Sequence, residues 1–285
     1  MTSFAPGVRI ITDSACDLPN DLVEQLGIRI VPLYIRFGDD ELVDRDELST
    51  SQFWARCATE EELPSTAAPA PGRFETTIRE LAADGATGVV IIGLSGALSA
   101  TLQSAELGAA AVGDLLPVRV VDSRTVSMGL GSIVVACARA AQDGASIDDV
   151  EALARYLVGR CQVWGALDTL ENLKKGGRIG GAKAMLASVL SIKPIIEVRN
   201  GVVEEGGKQR TRSKAIAFLV DKVRQNVESP GISHLSVLHA DCSDVDAFVD
   251  QLRTVYNGEI LVGDIGAVIG THAGRGTIGV SYFTV

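Results

Sequence analysis

The segment GVVIIGLSGALSAT (residues 88–101) decides the fold class, because it joins a buried strand, a polar turn and the start of a helix. Residues 88–95 are apolar almost throughout, as in strands of a parallel sheet that is covered on both faces. A helical pattern begins at Ser99. The same order recurs in VRIITDSACDLP (8–19) and in PVRVVDS (117–123). Strands alternating with helices predict an α/β fold with a parallel sheet.

The loops that follow these strands share one chemistry. TDSACD (12–17), GLSGALSAT (93–101) and VDSRT (121–125) all carry hydroxyl groups. In open parallel sheets, ligands bind beyond the carboxyl ends of the strands. We therefore expect polar groups to collect at this edge of the sheet.

The pattern changes in the second half of the chain. LKKGGRIGGAKAML (173–186) is a basic, glycine-rich stretch, and IKPIIEVRNGVVEE (192–205) predicts a hairpin whose two-residue turn is Asn200-Gly201. The change predicts two lobes, residues 1–164 and 165–285, with the boundary near Gln162 to Leu167.

Composition limits the classes of partner. The 285 residues carry a formal net charge of −10 and only 5% aromatic side chains, which argues against nucleic acid as the main partner. No apolar run approaches the roughly 20 residues of a membrane span, and the first twenty residues lack the pattern of a signal peptide. We expect a soluble cytoplasmic protein.

Cysteines and histidines show no metal-binding pattern. The five cysteines are scattered singly without a CxxC pair, which favours reduced thiols, and the three histidines lack metal spacing. The prediction is no metal and no cofactor.

Several polar residues have both a structural and a functional interpretation. Ser99 fits a helix N-cap, but a helix N-terminus after a parallel strand also suits an anion. Thr66 in PSTAAPAPG (64–72) and Ser14 are explained equally by local turn hydrogen bonds. Asp13 and Asp122 each end a strand and are weak candidates for a cation site. A Walker P-loop and a GxSxG elbow are absent, so nucleophilic catalysis is disfavoured.

His272 stands in GTHAGRGTIG (270–279), which we interpret as a glycine-rich loop. Glycine contributes no side-chain packing and costs backbone entropy on folding. A cluster of glycines therefore indicates a sharp turn, or a backbone that closely approaches a ligand or another part of the chain. On its own, a lone histidine is more often structural than a ligand.

These stretches together resemble the DegV family, which includes the fatty-acid-binding subunits of bacterial fatty acid kinase. The resemblance runs in order from about Val8 to Phe283. It rests on ITDSACDLP, STAAPAPGRF, GLSGALSATLQSA, VVDSRTVSMGLG, LENLKKGGRIGGAKAMLASVLSIKPII, RTRSKA and GAVIGTHAGRGTIGVSYF.

The resemblance implies a two-lobed α/β protein with a parallel three-layer α/β/α N-terminal lobe and a mixed-sheet α/β C-terminal lobe. A long-chain fatty acid is expected between the lobes. Its carboxyl group would be bound by Thr66, Ser99 and His272.

Other positions in the matching motifs are expected only in the vicinity of the ligand, and some depart from the family pattern. The expected neighbours are Ser14, Ala67 and Ala100. Ala67 stands where the family often has Ser, Ala100 where Gly follows the key serine, and Arg275 where Pro often lies between glycines. Arg275 would place a charge near the carboxyl end.

The resemblance also implies a partner, a separate kinase that phosphorylates the bound acid, so that this chain is not itself an enzyme. Arg178, Arg210 and Arg212 are candidates to contact that kinase or the phosphate, and the alternative for each is ordinary solvated charge. Transient contact with a membrane surface would serve lipid exchange. The rival hypothesis is a small-molecule kinase related to dihydroxyacetone kinases, with Asp13 and Asp122 binding magnesium.

Overall fold

Three sheets organise the residues that this computed structural model describes, which are 6–60, 62–187 and 192–285. The strands are β1 Gly7–Asp13, β2 Arg29–Val31, β3 Tyr34–Phe37, β4 Asp40–Val43, β5 Ser65–Ala67, β6 Ala86–Gly93, β7 Val118–Asp122, β8 Cys161–Ala166, β9 Lys193–Arg199, β10 Val202–Gln209, β11 Ile232–His239, β12 Leu261–Asp264 and β13 Ile278–Thr284. The helices are α1 Asn20–Leu26, α2 Thr50–Cys57, α3 Pro71–Ala83, α4 Thr101–Ala111, α5 Met128–Gln142, α6 Ile147–Val158, α7 Glu171–Lys175, α8 Arg212–Glu228, α9 Val245–Arg253 and α10 Ala267–Ala273. Short 3₁₀ helices cover Ser14–Cys16 and Gly180–Ala187.

The first sheet is parallel, in the order β2-β1-β6-β7. Its central strand β6 is apolar because both of its faces are covered. Val89 and Ile91 pack with α3 and α4, whereas Val90 and Ile92 pack with α5 and α6. The predicted three-layer α/β/α arrangement is confirmed.

The second sheet is mixed, in the order β10-β9-β8-β13-β11-β12, and only β11 and β12 pair in parallel. Helices α8 and α9 cover one face, and α5 contacts the other. Helix α5 therefore lies between the two large sheets. Its glycines permit this, because a Cβ at Gly129 would lie 2.5 Å from the Val163 side chain and one at Gly131 would lie 2.6 Å from the Cys16 carbonyl.

A third sheet, antiparallel in the order β4-β3-β5, corrects one prediction. The apolar run IRIVPLYIRF (28–37) predicts one strand with an irregular point at Pro32, whereas the structure divides it between β2 in the parallel sheet and β3 in this one. Pro32 lies at the break, because it has no N–H for a strand ladder. The next residue, Leu33, donates its N–H to Ser14 Oγ (3.1 Å) instead of to a strand.

The other boundaries have mixed outcomes. The turn at Asn200-Gly201 is confirmed, and both residues have the positive φ values (55° and 84°) that a tight hairpin turn of this kind requires. The interpretation of His272 as a loop residue is wrong, because it lies in the last turn of α10, which ends at Gly274 (φ 81°). The predicted lobe boundary between 164 and 165 falls inside β8, and the division into lobes stays a prediction.

No helix among the described residues is long and apolar enough to cross a membrane. Residues 188–191, which belong to the motif LENLKKGGRIGGAKAMLASVLSIKPII used for the family resemblance, lie outside the described residues.

Candidate functional site

An apolar cavity lies between the carboxyl edge of the parallel sheet, the β9–β10 hairpin and α10. The polar loops after β6 and β7 contribute part of its wall, as the sheet topology predicts. The apolar lining residues are Leu33, Leu94, Leu98, Val126, Leu173, Ile196, Val198, Val203, Val268, Ile269 and Ala273.

The hairpin is fixed over this cavity by its turn. Ser95 Oγ donates to the Gly201 carbonyl (2.7 Å), and Arg124 Nη2 donates to the Asn200 carbonyl (3.2 Å). A Cβ at Gly201 would lie 2.7 Å from Ser95 Oγ, so the close approach requires glycine. Sequence reasoning missed this role of Ser95 and Arg124, although both lie in the hydroxyl-bearing loops that it singled out.

Four polar side chains interrupt the apolar lining: Arg178 and the three that were expected to bind a carboxyl group. Thr66 on β5, Ser99 before α4 and His272 on α10 all line the cavity. Thr66 Oγ1 lies 3.1 Å from His272 Nε2, although the two residues are 206 positions apart in the chain. The structure therefore brings together a set that the sequence shows only as separate motifs.

Ser99 lies one residue before the N-cap of α4, and its hydroxyl lines the cavity. Helix α4 begins at Thr101, later than predicted, and the N-cap residue Ala100 offers no side-chain acceptor. Ser99 Oγ accepts the Thr101 N–H (3.2 Å) and lies 2.9 Å from Thr101 Oγ1. The hydroxyl therefore satisfies a backbone donor at the start of the helix while it faces the cavity.

His272 is held neutral by its surroundings. Burial, and secondly the positive charge of Arg178, lower the pKa of the imidazole to about 4. Its Nδ1 is buried without a hydrogen-bond partner in the part of the chain that the structure describes. Because orphaned N–H donors are the rarer kind of unsatisfied group, we assign the proton to Nε2. There it is available to Thr66 or to a ligand oxygen.

Gly176, just after α7, sets the position of this ring. A Cβ on Gly176 would lie only 2.3 Å from His272 Nδ1. Any side chain at position 176 would therefore push the imidazole out of its place. Sequence reasoning did not single out Gly176, because a close contact with a residue 96 positions away leaves no local signal.

The low pKa of His272 predicts a pH dependence of stability. In the unfolded chain the imidazole has a pKa near 6.5, so it takes up a proton at a pH where the folded chain does not. Its contribution to the free energy of unfolding is then lost as pH falls from about 6.5 to about 4, by about 3 kcal/mol. We expect urea unfolding to show that, over this pH range, the free energy of unfolding of the wild type falls relative to that of His272→Gln. A constant difference between the two proteins across that range would contradict it.

Arg178 lies where the apolar cavity meets a polar pocket on the surface. Its Nε donates to the Leu98 carbonyl (3.1 Å) and its Nη1 to the Gly176 carbonyl (2.7 Å). Thr66, Arg178 and His272 line both spaces, and the polar pocket adds Glu62, Ser65, Asn172 and Lys175, among others. The polar end of the cavity therefore faces a surface pocket that carries two positive side chains.

The other arginines are placed differently. Arg212 Nε and Nη2 donate to the two carboxylate oxygens of Asp244 (2.8 Å each), and this ion pair raises the pKa of the guanidinium. Arg210 is exposed just after β10. Neither lines the apolar cavity or the polar pocket. Arg275 pairs with Asp241, which compensates the charge that the sequence placed near the carboxyl end.

The expected neighbours of the ligand lie outside the cavity lining. Ser14 is buried and lines a different pocket. Ala67 pairs with Tyr34 in the small sheet, and Ala100 is exposed at the start of α4.

The two aspartates of the rival hypothesis accept hydrogen bonds from backbone N–H groups. Asp13 accepts the N–H groups of Ala15 (3.0 Å) and Leu94 (2.7 Å), one on each oxygen. Asp122 Oδ1 accepts from Arg124 N (2.8 Å). Within residues 6–60, 62–187 and 192–285, no cluster of three or more His, Cys, Asp or Glu is arranged to bind a metal ion.

Comparisons with known proteins agree with this architecture. The sequence model of a family described as "Uncharacterised protein, DegV family" matches residues 7–285. A DegV domain-containing protein of Streptomyces coelicolor is 36% identical over 276 residues, which cover 96% of this chain and 97% of that protein.

Solved structures are similar over the whole chain as well. One is the structure of a DegV family protein from Thermus thermophilus, which is described as showing fatty acid binding. It has a TM-score of 0.89 and 33% sequence identity, and the match covers 98% of this chain and 100% of that chain. DegV of Bacillus subtilis, described as a fatty acid binding protein, has a TM-score of 0.86 and 26% identity, covering 99% and 100%.

Proposed function

The chain belongs to the DegV family, and from that premise we propose that it binds one long-chain fatty acid. The acyl chain occupies the apolar cavity, and the carboxyl group lies at Thr66, Ser99 and His272. The observation that carries this proposal is the placement of these three neutral polar groups together in a lining that is otherwise apolar apart from Arg178. The two structures described as fatty acid binding support it.

Burial of the acyl chain provides most of the affinity. A methylene group removed from water contributes about 0.8 kcal/mol, so a sixteen-carbon chain contributes roughly 10 kcal/mol before the costs of association. The head group therefore needs only to be oriented. The cavity is narrow, with a volume of about 80 Å³, so its walls separate when the chain enters.

The polar groups suit a carboxylate that must stay reactive. Two hydroxyls and a neutral imidazole each donate a single hydrogen bond to the carboxylate. An arginine would instead bind both carboxylate oxygens at once and lower their nucleophilicity. Arg178 is directed to the Leu98 and Gly176 carbonyls and leaves the carboxyl position to the neutral groups.

We propose further that the protein presents this carboxyl group to a partner kinase in the cytoplasm. A carboxylate oxygen attacks the γ-phosphorus of ATP, the bond to ADP breaks, and the product is an acyl phosphate. Support comes from the polar pocket at the carboxyl end, where Lys175 and Arg178 offer positive charge to phosphate oxygens. The chain itself then acts as a binding protein and the kinase supplies the catalysis.

The rival, a small-molecule kinase with magnesium on Asp13 and Asp122, has less support. Both Asp13 oxygens already accept backbone N–H groups.

Mass spectrometry of a solvent extract of the purified protein tests the main proposal. We expect a fatty acid at about one molecule per chain. A protein that neither retains nor takes up fatty acid, but hydrolyses ATP by itself, would favour the rival.

Substitutions at the head group test the site. Ser99→Ala and His272→Ala each remove one hydrogen bond to the carboxyl group, a loss of about 1–3 kcal/mol, or roughly 5- to 150-fold in affinity. Fatty acid titration of the delipidated proteins measures the loss, and circular dichroism checks the fold. Wild-type affinity in both variants would refute this placement of the carboxyl group.

A further inference from the structure

A second, polar pocket of about 360 Å³ lies apart from the fatty acid cavity. It forms where the β1–α1 loop, the β4–α2 loop and the carboxyl ends of β11 and β12 meet. Its lining is Ser14, Asp17, Leu18, Pro19, Asn20, Asp44, Arg45, Ser49, Thr50, His239, Val262, Asp264 and Gly266. The two spaces share none of these residues, so the fatty acid leaves this pocket unexplained.

Asp44 is the unusual member of the lining. Its exposed fraction is only 3%, and its Oδ2 has no hydrogen-bond partner among the described residues. The hydroxyl of Ser14 donates to the same carboxyl group. A buried carboxylate oxygen without a donor is costly, so one is retained where something else supplies the donor.

The side chains around Asp44 are mainly acidic, and burial disfavours the charged forms of Asp17 and Asp44. Burial raises the pKa of Asp17 to about 7, although Ser127 Oγ (2.5 Å) and the Gly266 N–H (2.9 Å) both donate to it. Burial raises the pKa of Asp44 to about 6. Asp264 adds a third carboxylate, which lies 2.9 Å from His239 Nε2.

The nearest cation, Arg45, lowers the pKa of Asp44 by its charge but does not supply the missing hydrogen bond to Oδ2. Arg45 Nη2 donates to the Leu18 carbonyl (2.8 Å) and to Asn20 Oδ1, so its guanidinium is directed to the rim. Asp13 and Asp46 add further negative charge near Asp44. Among the described residues, Asp44 Oδ2 therefore lacks a hydrogen-bond donor, and the three carboxyl groups of the lining (Asp17, Asp44 and Asp264) outnumber its one arginine.

We propose that this pocket binds an aminopolyol, a small ligand with one primary ammonium group and several hydroxyl groups. The ammonium donates to Asp44 Oδ2, and the hydroxyls meet the oxygens of Ser49, Thr50 and Asp264 along the rim. A carboxylate accepts only hydrogen, so the ligand must provide N–H or O–H donors. An ammonium group combines donors with a positive charge, and the volume falls within the roughly 300–1,000 Å³ of small-molecule sites.

A matched pair of probes tests the inference on the whole protein. Glucamine and sorbitol differ by one ammonium group in place of a hydroxyl, and calorimetric titration in phosphate buffer compares them. We expect glucamine to bind at least about tenfold more tightly than sorbitol, because a hydrogen bond between charged groups is roughly twice as strong as one between neutral groups. Equal binding, or none up to the solubility limit of glucamine, would overturn the proposal.

Variants locate the binding. Asp44→Asn should lose at least about tenfold in glucamine affinity, whereas Asp114→Asn, at an exposed site outside the pocket, should lose nothing. If Asp44→Asn folds poorly, Val262→Trp provides a second variant. Val262 lines the pocket and is 38% exposed, so a tryptophan there fills the pocket mouth and should abolish glucamine binding. His272→Ala should bind glucamine normally, which separates this site from the fatty acid site. Unchanged glucamine affinity in both pocket variants would refute the assignment.

Discussion

Gly176→Val is expected to reduce fatty acid affinity by about 100-fold or more while the protein stays folded. The valine Cβ would lie 2.3 Å from His272 Nδ1, so the imidazole must leave its position beside Thr66. The variant then loses the hydrogen bond from His272 to the carboxyl group, and the new side chain overpacks its surroundings. Each effect costs about 1–3 kcal/mol. Titration of the delipidated protein with a fluorescent fatty acid measures the effect.

Gly72→Val is the matched control. Gly72 lies in the first turn of α3, and a Cβ there would meet no atom within 4 Å. Its fatty acid affinity should equal that of the wild type. Gly176→Ala introduces the same Cβ with less bulk, so its fatty acid affinity should lie between those of Gly176→Val and Gly72→Val. If Gly176→Val binds fatty acid like Gly72→Val, the ring of His272 does not contribute to the site.

Arg178→Ala is expected to lower acyl phosphate formation with a cognate kinase by about 100-fold while fatty acid retention stays near the wild-type level. Removing a positive donor that stabilises developing charge typically costs a factor of about 10²–10³ in rate. Fatty acid is retained because the apolar lining and the three neutral groups remain intact. Turnover in a reconstituted assay and the fatty acid content by mass spectrometry are the two measurements.

The controls for Arg178 separate position from charge. Arg275→Ala removes an equal charge that is paired with Asp241 outside the pocket, and it should leave turnover unchanged. Added salt should slow the wild type, because it screens the attraction between surface charges. Equal turnover for Arg178→Ala and wild type, at low and at high salt, would show that Arg178 is only a solvated charge.

Much of the fold was predictable because local patterns carry it. The apolar run at residues 88–95 reflects a strand buried on both faces, and the Asn200-Gly201 pair requires a backbone that few other residues adopt. The irregular point at Pro32 was predictable, but the change from one sheet to another was not, because apolar residues continue on both sides of the proline. A third sheet formed by three short strands leaves little periodic signal.

The site was predictable in its residue types and less so in its geometry. The resemblance pointed to Thr66, Ser99 and His272, and only the fold shows them in one lining. The glycines around His272 suggested a loop, whereas residues before Gly274 remain helical and pack beside Asn172, whose side-chain amide donates to the Thr271 carbonyl (3.1 Å). Arg212 has a basic motif but a structural partner in Asp244, which sequence spacing does not reveal.

The strand order of the mixed sheet has a consequence for how the chain folds. β8 pairs with β13, whose partner residues lie more than 100 positions later, as Ala166 and Ile278 do. Contacts of such long sequence separation form slowly, because the loop entropy is lost before the contacts repay it. α10 immediately precedes β13, and the contact between His272 and Thr66 has an even longer sequence separation of 206 positions. A fatty acid bound as we propose would stabilise by mass action the folded chain, in which these distant segments lie together.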